Sequence, residues 1–533
     1  MAISPDYDAI IVGAGFSGIY ALYKLRQLSL NVLLIDNAKD VGGTWYWNRY
    51  PGASSDVHSF VFRYSFDKED LRTYPWPNHY LTQPEVKAYL ANVVDKYDLR
   101  KHIQFETTLL EAEFNEPDNL WHIKASGDKI FSTRYLVTGV GQLSKRNIPD
   151  IKNFDSFKGD LYHTADWPEH HDFRGKRVGV IGNGSTGSQI LIELAKEAKQ
   201  VTSFQRNAQW NVPNGNRPVT EEERTHINEH YDEIWDRVRN SAVAFGFPES
   251  TTPAFSVSDE ERRQVFQKAW DEGNGFRFMF ATFSDITSDE KANKAATDFI
   301  KSKIQETVKD PETVRKLIPT EFYARRPICN NGYYEVFNQN NVSLVSLKET
   351  PFRELTPTGA VTSDGVEHPL DALVLATGFD AVTGSYTKIK IRGRGGKTLQ
   401  EHWADTPSSY LGVAVPGFPN LFTISGPNHP FTNTPPQTEA QVDFIANLIA
   451  HAGTQATVEA TPEAEKEWTE LSNKIVEGSL LHKTGGWVFG ENIPGKKHNV
   501  LFFFGGLKNY RDRQAAIIAD GYRGFKIIPV DKS

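Results

Sequence analysis

Asp8-Ala-Ile-Ile-Val-Gly13-Ala-Gly15-Phe-Ser-Gly18 lies near the start of the chain, and Asn31-Val-Leu-Leu-Ile-Asp36 follows it. The apolar run from Asp8 to Val12 reads as a buried strand. Ile19 to Leu28 has the period of an amphipathic helix, and Asn31 to Ile35 reads as the next strand. Strand, helix and strand within about 30 residues form a βαβ unit, whose crossover favours a parallel sheet. In this turn Gly13 makes the tight bend, Gly15 lets backbone approach a pyrophosphate, and Gly18 permits close helix–strand packing. Free N–H groups at the helix start add positive potential. Asp36 ends the second strand, where a carboxylate can bond the ribose hydroxyls of an adenosine.

The pattern returns. Arg177-Val-Gly-Val-Ile181 is a strand, Gly182-x-Gly184-Ser185-Thr186-Gly187 a turn, Ser188 to Ala198 a helix and Val201 to Phe204 a strand. This second unit ends in Gln205-Arg206. An arginine in place of the acid can pair with a 2′-phosphate through two N–H bonds, which favours NADPH over NADH. A solvated surface arginine is the plain alternative. One carboxylate-ended and one arginine-ended site together suggest a flavin dinucleotide plus NADPH. Tyr135-Leu-Val-Thr-Gly139 and Leu373-Val-Leu-Ala-Thr377-Gly378 are strands of the kind that return a chain to a nucleotide site.

The expected class is therefore α/β, with two Rossmann-like dinucleotide-binding domains, for FAD and NADPH, and a helical insertion. The FAD-binding domain is assigned to 1–140 and 387–533, and the NADPH-binding domain to 152–218 and 333–380. Linkers fall at 141–151 and 381–386. The insertion at 219–332 rests on a charge-rich stretch of helical period from about 219 to 320. Ser258-Asp-Glu-Glu261 and Thr287-Ser-Asp-Glu290 read there as capping boxes, and Asp310-Pro311 as a helix start. Strand patterns resume at Val342 to Val345 and Leu370 to Ala376. Thr461-Pro462 opens a further acidic helix.

Composition excludes several classes. The 533 residues carry 59 Lys+Arg against 67 Asp+Glu, a net charge of −8, and one cysteine, Cys329. One cysteine makes no internal disulfide, no CxxC redox pair and no cysteine-based zinc site. A mildly acidic chain without a basic block suits no nucleic acid. No run approaches the ~20 apolar residues that span a bilayer, and no basic leader precedes Ala9. A soluble, cytoplasmic, monomeric protein is expected. His170-His171 has no third ligand in view, so no metal is expected.

Between the two units stands Phe157-Lys-Gly159-Asp-Leu-Tyr-His163-Thr-Ala-Asp-Trp167-Pro168. It matches FxGxxxHxxxWP at every fixed position, and by it the chain resembles the type I Baeyer–Villiger monooxygenases. The likeness runs on through Gly42-Gly43-Thr44-Trp45-Tyr-Trp47-Asn-Arg-Tyr-Pro-Gly52, Gln83-Pro-Glu85, Tyr323-Ala-Arg325-Arg326-Pro327, Gly332-Tyr-Tyr-Glu335, Ala376-Thr-Gly-Phe-Asp380, Gly426-Pro-Asn428 and Phe489 to Lys497.

The resemblance implies a reaction. NADPH reduces FAD, O2 forms a C4a-peroxide on the flavin, and the peroxide inserts one oxygen beside a ketone carbonyl to give an ester or lactone. Cyclic ketones such as cyclohexanone are the implied substrates, with sulfoxidation as a side activity. Such chemistry needs a permanent cation beside the developing negative charge. The match places that cation at Arg326, with Asp56 holding it, and assigns Arg325 and Arg206 to the 2′-phosphate. Gly43, Thr44, Trp45, Trp47 and Phe62 join Asp56 in the segment implied to cover the flavin. Trp487 is implied to meet NADP, and Phe431 and Thr434 to line the substrate pocket. His163 is implied to couple the two nucleotide domains.

Two departures stand out. His58 replaces a glutamate frequent two residues after the aspartate. His429 and Thr434 stand where cyclohexanone-oxidising members usually carry Gly and Leu, which implies a more polar or narrower pocket. Without the resemblance, Arg325-Arg326 would read as a solvated pair and His163 as a bonded linker residue. The alternatives are oxidation of amine or sulfide heteroatoms, a flavin reductase or NADPH oxidase, and a redox sensor without turnover. Cys329, three residues after Arg326, reads as a packing residue exposed to oxidation by the reaction.

Overall fold

A computed structural model describes residues 4–453 and 456–529. Two sheets carry the architecture. The first has eight strands. Tyr7–Val12 lies at its centre, with Val32–Ile35 and then Ile103–Gln104 parallel on one side and Lys129–Thr138 parallel on the other. An antiparallel meander continues from Lys129–Thr138 through Leu120–Ala125 to Leu109–Asn115. Lys390–Arg392 and Leu421–Thr423 return from far along the chain to add two parallel strands.

The second sheet is wholly parallel. Its order is Val342–Ser346, Gln200–Gln205, Arg177–Ile181, Ala372–Leu375, Asp160–His163. Ala372 to Leu375 are all buried, as a parallel strand covered on both faces requires. The helices Phe16–Gln27 and Ser185–Glu197 follow the two glycine turns. Each begins three residues before the apolar period does, because the glycine turn itself supplies the first helical residues.

Between 221 and 317 the chain forms six α-helices: Glu221–Glu229, Tyr231–Arg239, Asp259–Glu272, Gly275–Phe280, Glu290–Thr307 and Pro311–Leu317. A short parallel pair, Asn211–Val212 with Ile328–Cys329, closes their base. Asp310 and Thr461 cap their helices with proline at the first turn, as expected. Ser258 also caps, accepting from the Glu261 N–H. Thr287 does not. Asp289 is the cap of Glu290–Thr307, its carboxylate accepting from Ala292 N–H at 2.8 Å. A carboxylate beside the helix start binds free N–H groups more strongly than a hydroxyl two residues further out. No helix among the described residues is long and apolar enough to cross a membrane.

Candidate functional site

Both glycine turns have the geometry their spacing predicts. Gly13 and Gly182 take φ of +106° and +104°, and a Cβ on either would lie 2.4 Å from a carbonyl oxygen, of Gly139 and Ala376 respectively. Gly18 and Gly187 have no room either, since a Cβ would strike the oxygen of Gly13 or Gly182. The middle glycines differ. A Cβ on Gly15 would sit 3.4 Å from the Gly43 Cα, so two bare backbones meet there, whereas a Cβ on Gly184 meets nothing within 4 Å.

The helix starts supply an independent test of fit. Neither Phe16–Gln27 nor Ser185–Glu197 has a side-chain cap or an acidic residue in its first turn. The helices at 259, 290, 311 and 462 are capped by Ser, Asp or Thr, while those at 434 and 507 share the bare start without a Gly-x-Gly-x-x-Gly turn before them. Leaving the first-turn N–H groups of the two glycine-turn helices uncapped costs stability unless an anion takes the place. Both starts therefore fit the pyrophosphate of a dinucleotide.

Asp36 ends Val32–Ile35, 8% exposed. Its carboxylate accepts from Ala14 N–H at 2.5 Å and Ala38 N–H at 2.7 Å, which braces the first glycine turn. Burial raises its pKa. The two Thr-Gly strand ends part company. Gly139 packs against the start of Phe16–Gln27, 3.2 Å from Gly18 N for a Cβ, so its close approach is to protein. Gly378, at φ +76°, faces open space, and Thr377 donates to the Asn147 carbonyl at 2.5 Å.

The cation is built from three directions. Backbone bonds from Ser55 N to Leu81 O and from Gln83 N to Ala53 O pin the turn that carries Asp56. Arg326 Nη2 donates to Asp56 Oδ2 at 2.5 Å, and Nη1 donates to Ser185 Oγ at 2.7 Å. The Phe276 ring lies under the guanidinium at 5.5 Å. Asn274 sets that ring. It caps Gly275–Phe280 through Phe276 N–H and Arg277 N–H, and its Nδ2 donates to the Asp56 carbonyl at 2.7 Å. Burial opposes the charge on Arg326, but Asp56 outweighs it and holds the guanidinium protonated.

The neighbouring arginine has partners within the protein. Arg325 pairs with Glu321 at 2.6 Å and donates Nε to the Thr484 carbonyl at 2.8 Å. It therefore grips the segment that leads to Trp487. Arg206 is exposed and has no partner among the described residues. Trp487 and Phe431 stand 6.3 Å apart, ring to ring, both packed on Phe502. Thr434 is the first residue of Thr434–Ala452, half-buried.

In the flavin-covering segment, Thr44 is exposed and Trp47 half-buried on the short helix Thr44–Trp47. Trp45 packs on Phe62, and Phe62 is buried against Phe16, so this ring supports the glycine helix from beneath.

His163 ends Asp160–His163, buried, its Nδ1 accepting from Ala165 N–H at 3.1 Å and its Nε2 without a partner. Burial lowers its pKa to about 4. Its fingerprint companions have separate physical reasons. A Cβ on Gly159 would meet the Phe157 ring and the Asp371 carbonyl, both at 2.5 Å. The Trp167 carbonyl accepts from Arg49 Nε at 2.7 Å.

The unusual histidines are both buried. His58 stacks on Tyr80 and bonds its hydroxyl at 3.1 Å, and burial lowers its pKa to about 3, so it adds no charge beside Asp56. His429 bonds Gly426 O and Gln142 through its two ring nitrogens and is 1% exposed. Cys329 is 1% exposed, and burial pushes its thiol well up, which removes the thiolate that oxidation needs. Its Sγ accepts from Gly275 N–H at 3.2 Å, a packing role.

Sequence reading missed Phe245, stacked on Phe276 at 4.2 Å, and Asn274. The aromatic density of Gly275-Phe-Arg-Phe-Met-Phe280 is the one local signal that could have found them, and it does not show which face the run presents.

The fold and the two anion-ready helix starts define a two-nucleotide oxidoreductase with a paired cation between them. Residues 8–217 match the FMO-like family, described as flavin-binding monooxygenase-like. The chain is 52% identical to a phenazine N-monooxygenase from Lysobacter antibioticus over 522 residues, 97% of this chain and 96% of that one. It is 49% identical to a Baeyer–Villiger monooxygenase from Pseudooceanicola batsensis over 524 residues, 98% and 96% of the two chains. The crystal structure of cyclohexanone monooxygenase from Rhodococcus sp. Phi1 bound to NADP+ superposes with a TM-score of 0.97 at 52% identity, covering 99% of this chain and 100% of that one. The chain belongs to the Baeyer–Villiger family of flavin-dependent monooxygenases.

Proposed function

We propose that this enzyme uses FAD and NADPH to insert one atom of O2 beside a ketone carbonyl, giving an ester or lactone, with cyclic ketones such as cyclohexanone as substrates. The observation that carries this reading is the Arg326–Asp56 pair, braced by Ser185 at the start of the second glycine helix. Bound FAD and NADPH supply the electron transfer and the oxygen activation. The chain supplies the surroundings. Gly13, Gly15 and Gly18 with Asp36 hold one dinucleotide, and Gly182, Gly184, Gly187, Thr377 and Gly378 with Arg206 the other. Arg326 stabilises negative charge as it develops on oxygen, and it never gives up its proton. Asp56 fixes its direction. Phe245, Phe276, Phe431 and Trp487 keep water from the reacting atoms.

We assign 1–140 and 387–533 to the FAD-binding domain, 152–218 and 333–380 to the NADPH-binding domain and 219–332 to the helical insertion, with linkers at 141–151 and 381–386, in a cytoplasmic monomer. Oxygen transfer to an aromatic ring nitrogen is a second reading, favoured by the 52% identity to a phenazine N-monooxygenase. The two separate by product analysis. Purified yellow protein is given NADPH and, in turn, cyclohexanone and a phenazine. Lactone matched to NADPH consumption supports the first reading, N-oxide alone supports the second, and hydrogen peroxide alone across both panels removes each.

A further inference from the structure

Arg63 is fully buried, 0% exposed, in the segment after Asp56. The rings of Tyr89 and Tyr74 lie against its guanidinium at 5.1 and 5.5 Å. Nη1 reaches the carbonyls of Asp70 and Leu71 at a long 3.4 Å. Nε and Nη2, the edge that presents two parallel N–H groups, have no partner. A second cation stands nearby. Arg224 stacks over Trp76 at 4.3 Å and donates only to the carbonyls of Arg72 and Tyr74. Neither arginine has a carboxylate oxygen within 4.0 Å among the described residues. Burial lowers the Arg224 pKa, and the Arg63 charge lowers it further.

Two polar groups adjoin this pair, the Trp76 indole N–H, a donor only, and the Tyr231 hydroxyl, which can accept from Arg63 and still donate its proton onward. Trp76 Nε1 is buried without a partner, and the Tyr231 hydroxyl, facing Arg63, has no acceptor for its own proton, each residue being 1% exposed. Burial raises the Tyr231 hydroxyl, and both arginines pull it back, which sets it against both cations. Asp70 is the acid in range. It bonds Asn92 at 3.3 Å rather than either arginine; burial raises its carboxyl and the Arg63 charge pulls it back. A permanent charge taken out of water needs a counter-charge or a full set of bonds. Aromatic faces supply part of that. An ordered water would accept from two donors and leave the charge in place.

We infer that Arg63, Arg224, Tyr231 and Trp76 form a buried binding site for one small monovalent anion of halide size. None of these residues belongs to the nucleotide turns or to the Arg326 pair. The anion would tie the 63–76 segment to the helices Glu221–Glu229 and Tyr231–Arg239, since each supplies one or more of its donors. Three of the four residues are at most 1% exposed, so the anion would be stripped of water, which disfavours a multivalent one.

Holoenzyme crystals soaked in sodium bromide and measured at the bromine absorption edge test this directly. The expected result is an anomalous peak within hydrogen-bond reach of Arg63 Nε and Nη2. Peaks at surface sites only, or an ordered water in that place, overturn the proposal. A solution arm reads the same site. Thermal midpoints of the holoenzyme are compared in gluconate, chloride and bromide at matched ionic strength. The wild type should rise and saturate with halide, and Arg63→Met should lose that response. Should Arg63→Met fail to fold, Arg224→Met, whose arginine is only half-buried, carries the same arm. A wild-type midpoint indifferent to halide overturns the proposal.

Discussion

The Ser185 hydroxyl accepts a 2.7 Å hydrogen bond from Arg326, so the cation of the site is tied to the first residue of the second glycine helix. Asp56 holds the other side of the same guanidinium at 2.5 Å. In the proposed reading, the Arg326 guanidinium stands between the helix start that would take NADPH and the place where charge would develop on oxygen.

Arg326→Ala should leave reduction of the bound flavin by NADPH intact while product formation falls about 10²–10³-fold, the usual cost of removing a stabilising donor. Arg326→Lys should recover little, because a lysine offers no planar fork to Asp56 and Ser185 together. Stopped-flow reduction beside product yield separates the two steps. Unchanged yield in Arg326→Ala refutes the assigned role.

Gly184→Ala and Gly182→Ala should behave oppositely. A methyl group on Gly184 meets nothing in the protein, so folding and thermal midpoint should hold while NADPH affinity drops. A methyl on Gly182 strikes the Ala376 carbonyl at a positive φ, so stability itself should fall. Thermal shift without nucleotide, with a KM for NADPH, distinguishes them. Equal midpoints for both variants contradict the reading of the turn.

Arg206→Ala should weaken NADPH far more than NADH, by about tenfold or more for the loss of a charged bond to phosphate. Arg325→Ala tests a different contact. Because Arg325 grips Glu321 and the Thr484 carbonyl, its loss should free the Trp487 segment, raising proteolytic cleavage near 485–497. Equal effects of Arg206→Ala on both nucleotides remove the 2′-phosphate assignment.

Acid should destabilise the protein from about pH 6.5 downward. His163 and His429 are held near 4 and His58 near 3, each by burial, against the ordinary 6.5. Their folded pKa values are depressed, so the unfolded chain binds more protons below 6.5, and stability falls as pH drops towards 4. Glu439, buried on Ser65 and raised to about 7, works in the opposite sense, being protonated first in the fold. Its contribution is fullest below its ordinary 4.5 and is lost as pH rises through 7. His429→Gln should therefore flatten the fall in thermal midpoint between pH 6.5 and 4. A slope equal to the wild type contradicts a neutral buried His429.

Cys329→Ala should inactivate at the wild-type rate during turnover without substrate. The thiol is buried and its pKa raised, so oxidant meets no thiolate. Slower inactivation in the variant, followed by residual activity, counts against this.

Both glycine turns were legible because each is a local rule: a positive φ, a close carbonyl and a helix start lie within six residues of one another. Asp36 was legible by its distance along the chain, although its bonds turned out to brace the turn as well. The meander from Leu109 to Thr138 was not legible. Its strands alternate buried and exposed positions, but nothing near them in sequence says that Lys390–Arg392 completes their sheet. Thr287 looked like a cap by pattern, and Asp289 won because a charge sat closer to the free N–H groups. Arg325 and Arg326 were indistinguishable by type, and only the resemblance separated them.

The sequence by itself determined two dinucleotide folds and the family through 157–168, and it set the expected order of cofactors by the end residues Asp36 and Arg206. These follow from short-range sterics and from motifs whose members touch. Tertiary structure alone decided that Arg326, Asp56, Ser185 and Phe276 meet, that Arg325 bonds the Thr484 carbonyl, and that Arg63 lies buried with no carboxylate oxygen within 4.0 Å among the described residues. Those facts depend on contacts between residues up to 270 positions apart, where packing of whole elements, and no local propensity, sets the distance.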